Sequence, residues 1–253
     1  MILTIDVGNT NITCGVFDRG VLMSTFRMPT DVNRNFEKDF TENLYPLEIS
    51  GAMIASVVDN IDDRLYCAVK KVCNIEPLIL THNSEMPISI NIQNNSEIGA
   101  DRIANGVRAW NLYKKASVTV DFGTATTFDV INSKGEFIGG LIAPGIKTQL
   151  DSLGRATAKL PNLEIGEINK VIGNNTKDAI MAGVILGTAS MVDGMIEKTE
   201  KELGERPVLI ATGGFSAVIT KYINHKFDLI SPNLTLEGLF DLYNYAKSDF
   251  SLC

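Results

Sequence analysis

The chain has 253 residues, 45% of them hydrophobic and 21% charged, with a formal net charge of −7. That is ordinary for a globular protein with a real core, in one large domain or two modest ones. The negative balance argues against nucleic acid as a partner, but not against a small anion met locally by metal and backbone.

Cys14, Cys67, Cys73 and Cys253 form no C-x-x-C pair, and His82 and His225 are the only histidines, which argues against a zinc site. The N-terminus is apolar but has no basic flank and is interrupted by Asp6, unlike a signal peptide. No uninterrupted apolar run reads as long enough to span a bilayer, so no membrane partner is expected. The expected setting is soluble, reducing and cytoplasmic.

In chain order, Ile2–Thr10 reads as an apolar strand ending in Asp6-Val7-Gly8-Asn9-Thr10. Strands Ile12–Phe17 and Val21–Arg27 follow, joined by the turn Asp18-Arg19-Gly20. Phe36, Phe40 and Leu44 have helical spacing and predict a helix over Asp31–Leu44. Ala52–Val58 reads as a buried strand and Asp59–Cys73 as a helix with Ile61, Leu65, Val69 and Val72 inward. Asp62 and Asp63 at its start and Lys70 and Lys71 at its end suit the helix dipole. Pro77–Leu80 is a further short strand, and His82–Glu97 a polar loop. The next helix spans Gly99–Lys115, carries Ile103, Val107 and Trp110 on one face, and opens with Gly99-Ala100-Asp101-Arg102.

The second half begins near Ala116 and repeats the first design. Val118–Asp129 is an apolar strand that meets a turn at Asp121, followed by Gly123 and the hydroxyls of Thr124, Thr126 and Thr127. Gly123 can take a backbone conformation closed to other residues and lets a ligand come close. Carboxylate, glycine and hydroxyls together suit a metal-bound phosphate held against backbone N–H groups. Runs Ala125–Ile131 and Glu136–Leu141 again flank a turn, so strand, turn, strand, turn, strand is written twice, as in an internal duplication. The expected fold is α/β: two duplicated domains, 1–116 and 117–253, with mixed sheets flanked by helices and a cleft between them.

After the turn Ala143-Pro144-Gly145, a helix begins at Ile146, and Thr157–Glu164 reads as extended. Gly173-Asn174-Asn175-Thr176 opens a long helix to about Leu203, capped by Asn175 or Thr176. Its Ala182, Gly183, Gly187 and Ala189 permit close approach, either of the chain's own core or of a second subunit. Pro207–Ala211 is a strand running into Thr212-Gly213-Gly214-Phe215, a turn that can lie against a flat ligand or phosphate. Leu234–Lys247 reads as a last amphipathic helix.

Several stretches, in order, resemble type III pantothenate kinases of the acetate kinase, sugar kinase, Hsp70 and actin superfamily. They are Asp6–Thr10, Glu97–Asn105, Asp121–Asp129, Gly140–Gly145, Thr157–Pro161, Gly173–Thr176 and Ala211–Phe215. The resemblance implies two ribonuclease-H-like domains and ATP-dependent phosphorylation of pantothenate. It implies that Asp6, Val7, Gly8, Asn9, Thr10, Asn11, Ile12 and Thr13 hold ATP phosphates and that Thr124 adds a nucleotide contact. It makes Asp101 the proton acceptor, with Gly99, Ala100, Asp101, Arg102 and Thr176 touching pantothenate. It implies a monovalent cation, potassium or ammonium, at Asp121, and a homodimer. Asp6 is the candidate for holding Mg²⁺ through water, and Arg102 either steadies the substrate or is structural.

The chain departs from the family pattern at Ile92, where a substrate-contacting tyrosine is usual, at Asp59 and over Asp31–Asp39. A rival reading is a non-catalytic nucleotide-binding regulator on the same scaffold; another is a kinase for a different small alcohol. Intact Asp6, Asp101 and Asp121 disfavour the regulator.

Overall fold

A computed structural model describes residues 1–156, 166, 168 and 170–249 of the chain. The matched stretch Thr157–Pro161 lies outside the described residues. Strands are β1 (Ile2–Val7), β2 (Asn11–Asp18), β3 (Val21–Pro29), β4 (Gly51–Ser56), β5 (Leu78–Ile79) and β6 (Ser89–Ile90). They continue as β7 (Ser117–Phe122), β8 (Ala125–Ile131), β9 (Glu136–Pro144), β10 (Val208–Thr212) and β11 (Leu229–Ile230). Helices are α1 (Phe36–Leu44), α2 (Asp62–Cys73), α3 (Ala100–Tyr113), α4 (Ile146–Ala156), α5 (Thr176–Leu203), α6 (Ser216–Ile219) and α7 (Leu234–Asp249).

The chain forms two compact units. The first holds Met1–Lys114, Gly135–Phe137 and the segment from Asn233; the second holds Lys115–Lys134 and Ile138–Pro232. One sheet has the order β3-β2-β1-β4-β5 and the other β11-β10-β7-β8-β9-β6. In each, an opening strand (β1 or β7) is antiparallel to its successor and parallel to the strand on its other side (β4 or β10). The repeat seen in the sequence is therefore a repeat of sheet order.

The first core takes Leu3, Ile5 and Val7 from β1 and Phe36, Phe40, Leu65 and Val69 from α1 and α2, all buried. α1 starts later than its hydrophobic spacing predicts. The Asp31 carboxylate accepts from Asn33 N–H at 2.8 Å, and Asn35 caps the helix by accepting from Lys38 N–H at 3.1 Å. Such side chains offer the backbone a local alternative to helix.

α7 was expected in the second domain from its place in the chain, but it packs on β1, β4 and α3 of the first unit. Its Leu234, Leu236, Leu239 and Leu242 are fully buried or nearly so, and Phe240 stacks on Phe17 at 4.6 Å. Covering that sheet face is the physical reason for the return.

The second core is built by Val118, Val120 and Phe122 of β7 with Val184, Ile185, Val192 and Ile196 of α5. By length and composition α5 could cross a membrane, contrary to the sequence reading, and half of its most apolar window is buried inside the protein. Its small residues divide. Ala182 and Ala189 are buried, whereas a Cβ added at Gly183 or Gly187 would meet nothing within 4 Å. These two glycines serve no packing within the chain's described residues.

Candidate active site

In the first unit the carboxyl ends of parallel β1 and β4 lie side by side, with Val7 opposite Ser56. Open α/β sheets place ligands at this end of their strands. Gly8 N–H donates to the Asn11 carbonyl at 3.0 Å and closes the turn between the paired residues Val7 and Ile12. The Thr30 hydroxyl grips the Gly8 carbonyl at 2.6 Å, and Thr30 N–H reaches the Thr10 carbonyl at 3.1 Å. Thr30 escaped the sequence analysis, for it belongs to no motif there. The Val7 and Ile12 side chains are buried, so those residues can offer a ligand only backbone; Asn9 and Thr10 are exposed. Asp6 pairs directly across with Thr13, setting carboxylate and hydroxyl on one face. Burial, assisted by the Asp6 carboxylate, holds the neighbouring Cys14 thiol well above its usual range.

The start of α3 comes to the same end of the sheet. Val57, just past β4, donates its N–H to the Val7 carbonyl at 3.1 Å. A Cβ on Gly99 would touch Val57 and collide with the Asp101 carboxylate. Gly99 leaves room for that carboxylate to fold back over the helix start, where its Oδ1 accepts from Arg102 N–H at 2.8 Å. Burial pushes the Asp101 carboxyl above the ordinary carboxylate range, against the pull of the Arg102 N–H and charge. A half-buried carboxyl shifted in this way suits a proton acceptor. The Arg102 guanidinium lies 5.4 Å from the Phe137 ring centroid, so it has at least a structural contact.

In the second unit Asp121 sits between Thr127 of β8 and the buried Thr212 of β10. Gly123 N–H donates to the Ala125 carbonyl at 3.0 Å, closing a tighter turn than the first. Gly123 does not use its conformational freedom: its φ is not positive, and a Cβ there would make ordinary contacts. The constraint falls on two other glycines. Gly213 has φ +88°, and a Cβ on it would collide with Asp121 Oδ1 and the Phe122 backbone. Gly145 lies so near the Gly123 and Thr124 carbonyls that no Cβ fits. The Thr124 carbonyl accepts from Gly145 N–H at 3.1 Å and from the Thr148 hydroxyl at 2.6 Å. Gly213 and Gly145 stand in turns legible in the sequence, but nothing there ties Gly213 to Asp121 or Gly145 to Thr124.

Thr176 is the exposed first residue of α5, on a different element from the Asp121 turn. Asn175 is its cap, accepting from Asp178 N–H at 2.9 Å, and Gly173 lies against the Ala179 backbone with no room for a side chain. The structure thus gathers Asp6–Thr13 and Gly99–Arg102 at one end of the first sheet, and Asp121 and Thr124 at one turn of the second.

Among the described residues no three His, Cys, Asp or Glu side chains cluster as a metal cage. Each turn instead offers one carboxylate with nearby hydroxyl and carbonyl oxygens. That donor set fits a hard cation that takes its remaining ligands from phosphate and water, as Mg²⁺ does.

The profile of the type III pantothenate kinase family matches residues 2–198. The chain belongs to the type III pantothenate kinase family. The type III pantothenate kinase of Persephonella marina is 37% identical over 97% of this chain and 99% of its own. That of Listeria welshimeri is 39% identical over 98% of both chains. The solved structure of MreB 5 of Spiroplasma citri, bound to AMPPNP, superposes with a TM-score of 0.57 at 10% identity, over 99% of this chain and 98% of that one. At that identity the likeness shows the actin-like fold alone. Membership in this kinase family makes the chain an enzyme of the kinase class.

Proposed function

We propose that the chain transfers the γ-phosphoryl group of ATP to the primary hydroxyl of pantothenate, giving 4′-phosphopantothenate, the first step of coenzyme A synthesis. The observation that carries this reading is Asp101, a half-buried carboxylate folded over a helix start at the same sheet end as the Asp6 turn. In this reading the backbone of Asp6–Thr13 holds the ATP phosphates and Thr124 adds a nucleotide contact. Gly99, Ala100, Arg102 and Thr176 hold pantothenate. Asp101 orients the acceptor hydroxyl and takes its proton as the new O–P bond forms and the bond to ADP breaks. Phosphoryl transfer asks little more of a protein than positioning and charge neutralisation. Asp6 would hold Mg²⁺ through water and Asp121 potassium or ammonium; when bound, these cations neutralise phosphate charge.

The active form in this reading is a cytoplasmic homodimer. The outward Gly183 and Gly187 on α5 support it, since they leave a helix face that another helix can approach closely. Gly183→Trp should then lower the mass seen by light scattering and weaken pantothenate affinity more than ATP affinity.

The test is purified protein with ATP, Mg²⁺, potassium and a panel of acceptor alcohols. Selective formation of 4′-phosphopantothenate is the expected result. ATP binding without any turnover would favour the regulator, and preference for another alcohol would reassign the substrate.

A further inference from the structure

Asp101, Asn105 and Arg108 stand at i, i+4 and i+7 on α3, so they share one stripe of that helix. The two residues beyond Asp101 are held by α7. Asn105 is 1% exposed, and its Oδ1 accepts the Thr235 hydroxyl at 2.9 Å. Arg108 Nε donates to Glu237 at 3.1 Å, and its Nη1 reaches both carboxylate oxygens of Asp241, at 3.2 and 3.3 Å. Asn111 Nδ2 adds a third bond to Asp241 at 3.1 Å. Between these polar ties Gly238 lies against the Ala104 backbone with no space for a Cβ, so the two helices touch main chain to main chain. Along its other side α7 is anchored to the sheet by Phe240 stacked on Phe17 and by Tyr243 against Gly51.

A buried amide hydrogen-bonded to a hydroxyl is an expensive thing to misalign, because an unmet buried acceptor costs about 1–3 kcal/mol. Two helices in backbone contact cannot slide without breaking such bonds. The rotation and height of α3 are therefore set by α7, one helical turn (about 5.4 Å) from the Asp101 carboxylate. α7 also lies wholly beyond the stretch matched by the family profile, which ends at residue 198.

We infer that Thr235, with Glu237 and Asp241, positions the catalytic carboxylate. The C-terminal helix thus braces the acceptor-alcohol site from behind, through the Asn105 and Arg108 contacts. The inference rests on the reading of Asp101 as the proton acceptor. Thr235, Glu237 and Asp241 are positioning residues in this account, for they touch α3 and not the reacting atoms.

The experiment compares Thr235→Val, Thr235→Ser and Asp241→Asn with the wild type and with Asp101→Asn. kcat and KM for pantothenate and for ATP are measured separately, with thermal melting as the check on folding. Valine keeps the shape of threonine and removes only the hydroxyl; serine restores it. The expected result is that Thr235→Val lowers kcat/KM for pantothenate by about tenfold while the ATP KM stays within about twofold. Thr235→Ser should return it to near the wild-type value, and Asp241→Asn should fall between. Folded Thr235→Val and Asp241→Asn proteins with wild-type pantothenate kinetics would overturn the inference. So would a rise in KM for both substrates that serine does not repair, since that is the mark of general damage. Should Thr235→Val not fold, Asp241→Asn decides alone, being at the edge of the clamp. An Asp101→Asn protein that turns over normally would overturn the inference by a different route, through the reading beneath it, and the wild-type and Asp101→Asn controls separate the two failures.

Discussion

The two strand-ending aspartates sit in turns that share a plan and differ in their surroundings. Both carboxylates face a cross-strand threonine, Asp6 with Thr13 and Asp121 with Thr127. Both turns close through a glycine N–H at 3.0 Å. The first is open: Asn9 and Thr10 are exposed, and a Cβ on Gly8 would approach only the Asn11 carbonyl, at 3.2 Å. The second is walled by the Gly145 and Gly213 backbones, each too close to admit a side chain. A duplicated motif has thus become one exposed turn and one hemmed in by two glycine backbones, that of Gly213 lying against the Asp121 carboxylate. An exposed turn suits a ligand that comes and goes, and a carboxylate packed against a glycine backbone suits a resident ion.

The largest effect that would break this comparison is on catalysis. If Asp121 holds the monovalent cation, Asp121→Ala should lower the rate by at least on the order of 10–100-fold and abolish stimulation by potassium. Asp6→Ala should instead weaken Mg²⁺-ATP while leaving what activity survives responsive to potassium. A wild-type rate that is the same in potassium and in choline would remove the proposed difference between the turns.

A smaller effect sharpens it through stability. Gly213→Ala forces a side chain into φ +88° against the Asp121 carboxylate and the Phe122 backbone, at a cost of about 2–4 kcal/mol from strain and overpacking together. Gly8→Ala should cost less than about 1 kcal/mol, since its neighbour need give only a few tenths of an ångström. Thermal melting of the two variants checks the order; equal losses would mean the second turn is not the tighter one.

The smallest effect concerns pH and sets both turns beside the third carboxylate. Burial raises the Asp101 pKa, so its proton is lost at higher pH than from an ordinary aspartate near about 3.9. A proton acceptor must be ionised. The rate should therefore fall as pH drops through this raised value, with a midpoint above the ordinary range. The same shift means that ionised Asp101 costs folding stability above that pH, a cost relieved on acidification. A pH profile of kcat/KM for pantothenate with no limb above the ordinary carboxylate range would contradict the assignment.

Much of this was legible in the sequence, for identifiable reasons. The long strands and helices announced themselves through period-2 and helical spacing, and the duplication through two matched Asp-x-Gly turns. The two-residue strands β6 and β11 carried too few residues for any period. The return of α7 was hidden because its partners are far away in sequence: Thr235 meets Asn105 across 130 positions, and amphipathicity says that a face is buried but not against what. Asp121 was legible as a strand-end carboxylate, yet the need for glycine was assigned to Gly123, its neighbour in sequence. The structure moves that need to Gly213, which meets the Asp121 carboxylate, and to Gly145, which meets the Gly123 and Thr124 carbonyls. The cap on α5 was legible at Asn175 because a side chain reaching N–H three residues on is a local matter. The outward turn of Gly183 was not, since a stripe of small residues is the same whether it faces core or solvent.

The most direct measurement is ATP-dependent formation of 4′-phosphopantothenate by the wild type and by Asp101→Asn, with ATP binding followed calorimetrically in both. The expected result is product from the wild type, a loss on the order of 10²–10⁴ in kcat for the variant, and ATP affinity unchanged. A variant that turns over at nearly the wild-type rate, or a wild type that binds ATP and never phosphorylates pantothenate, would contradict it.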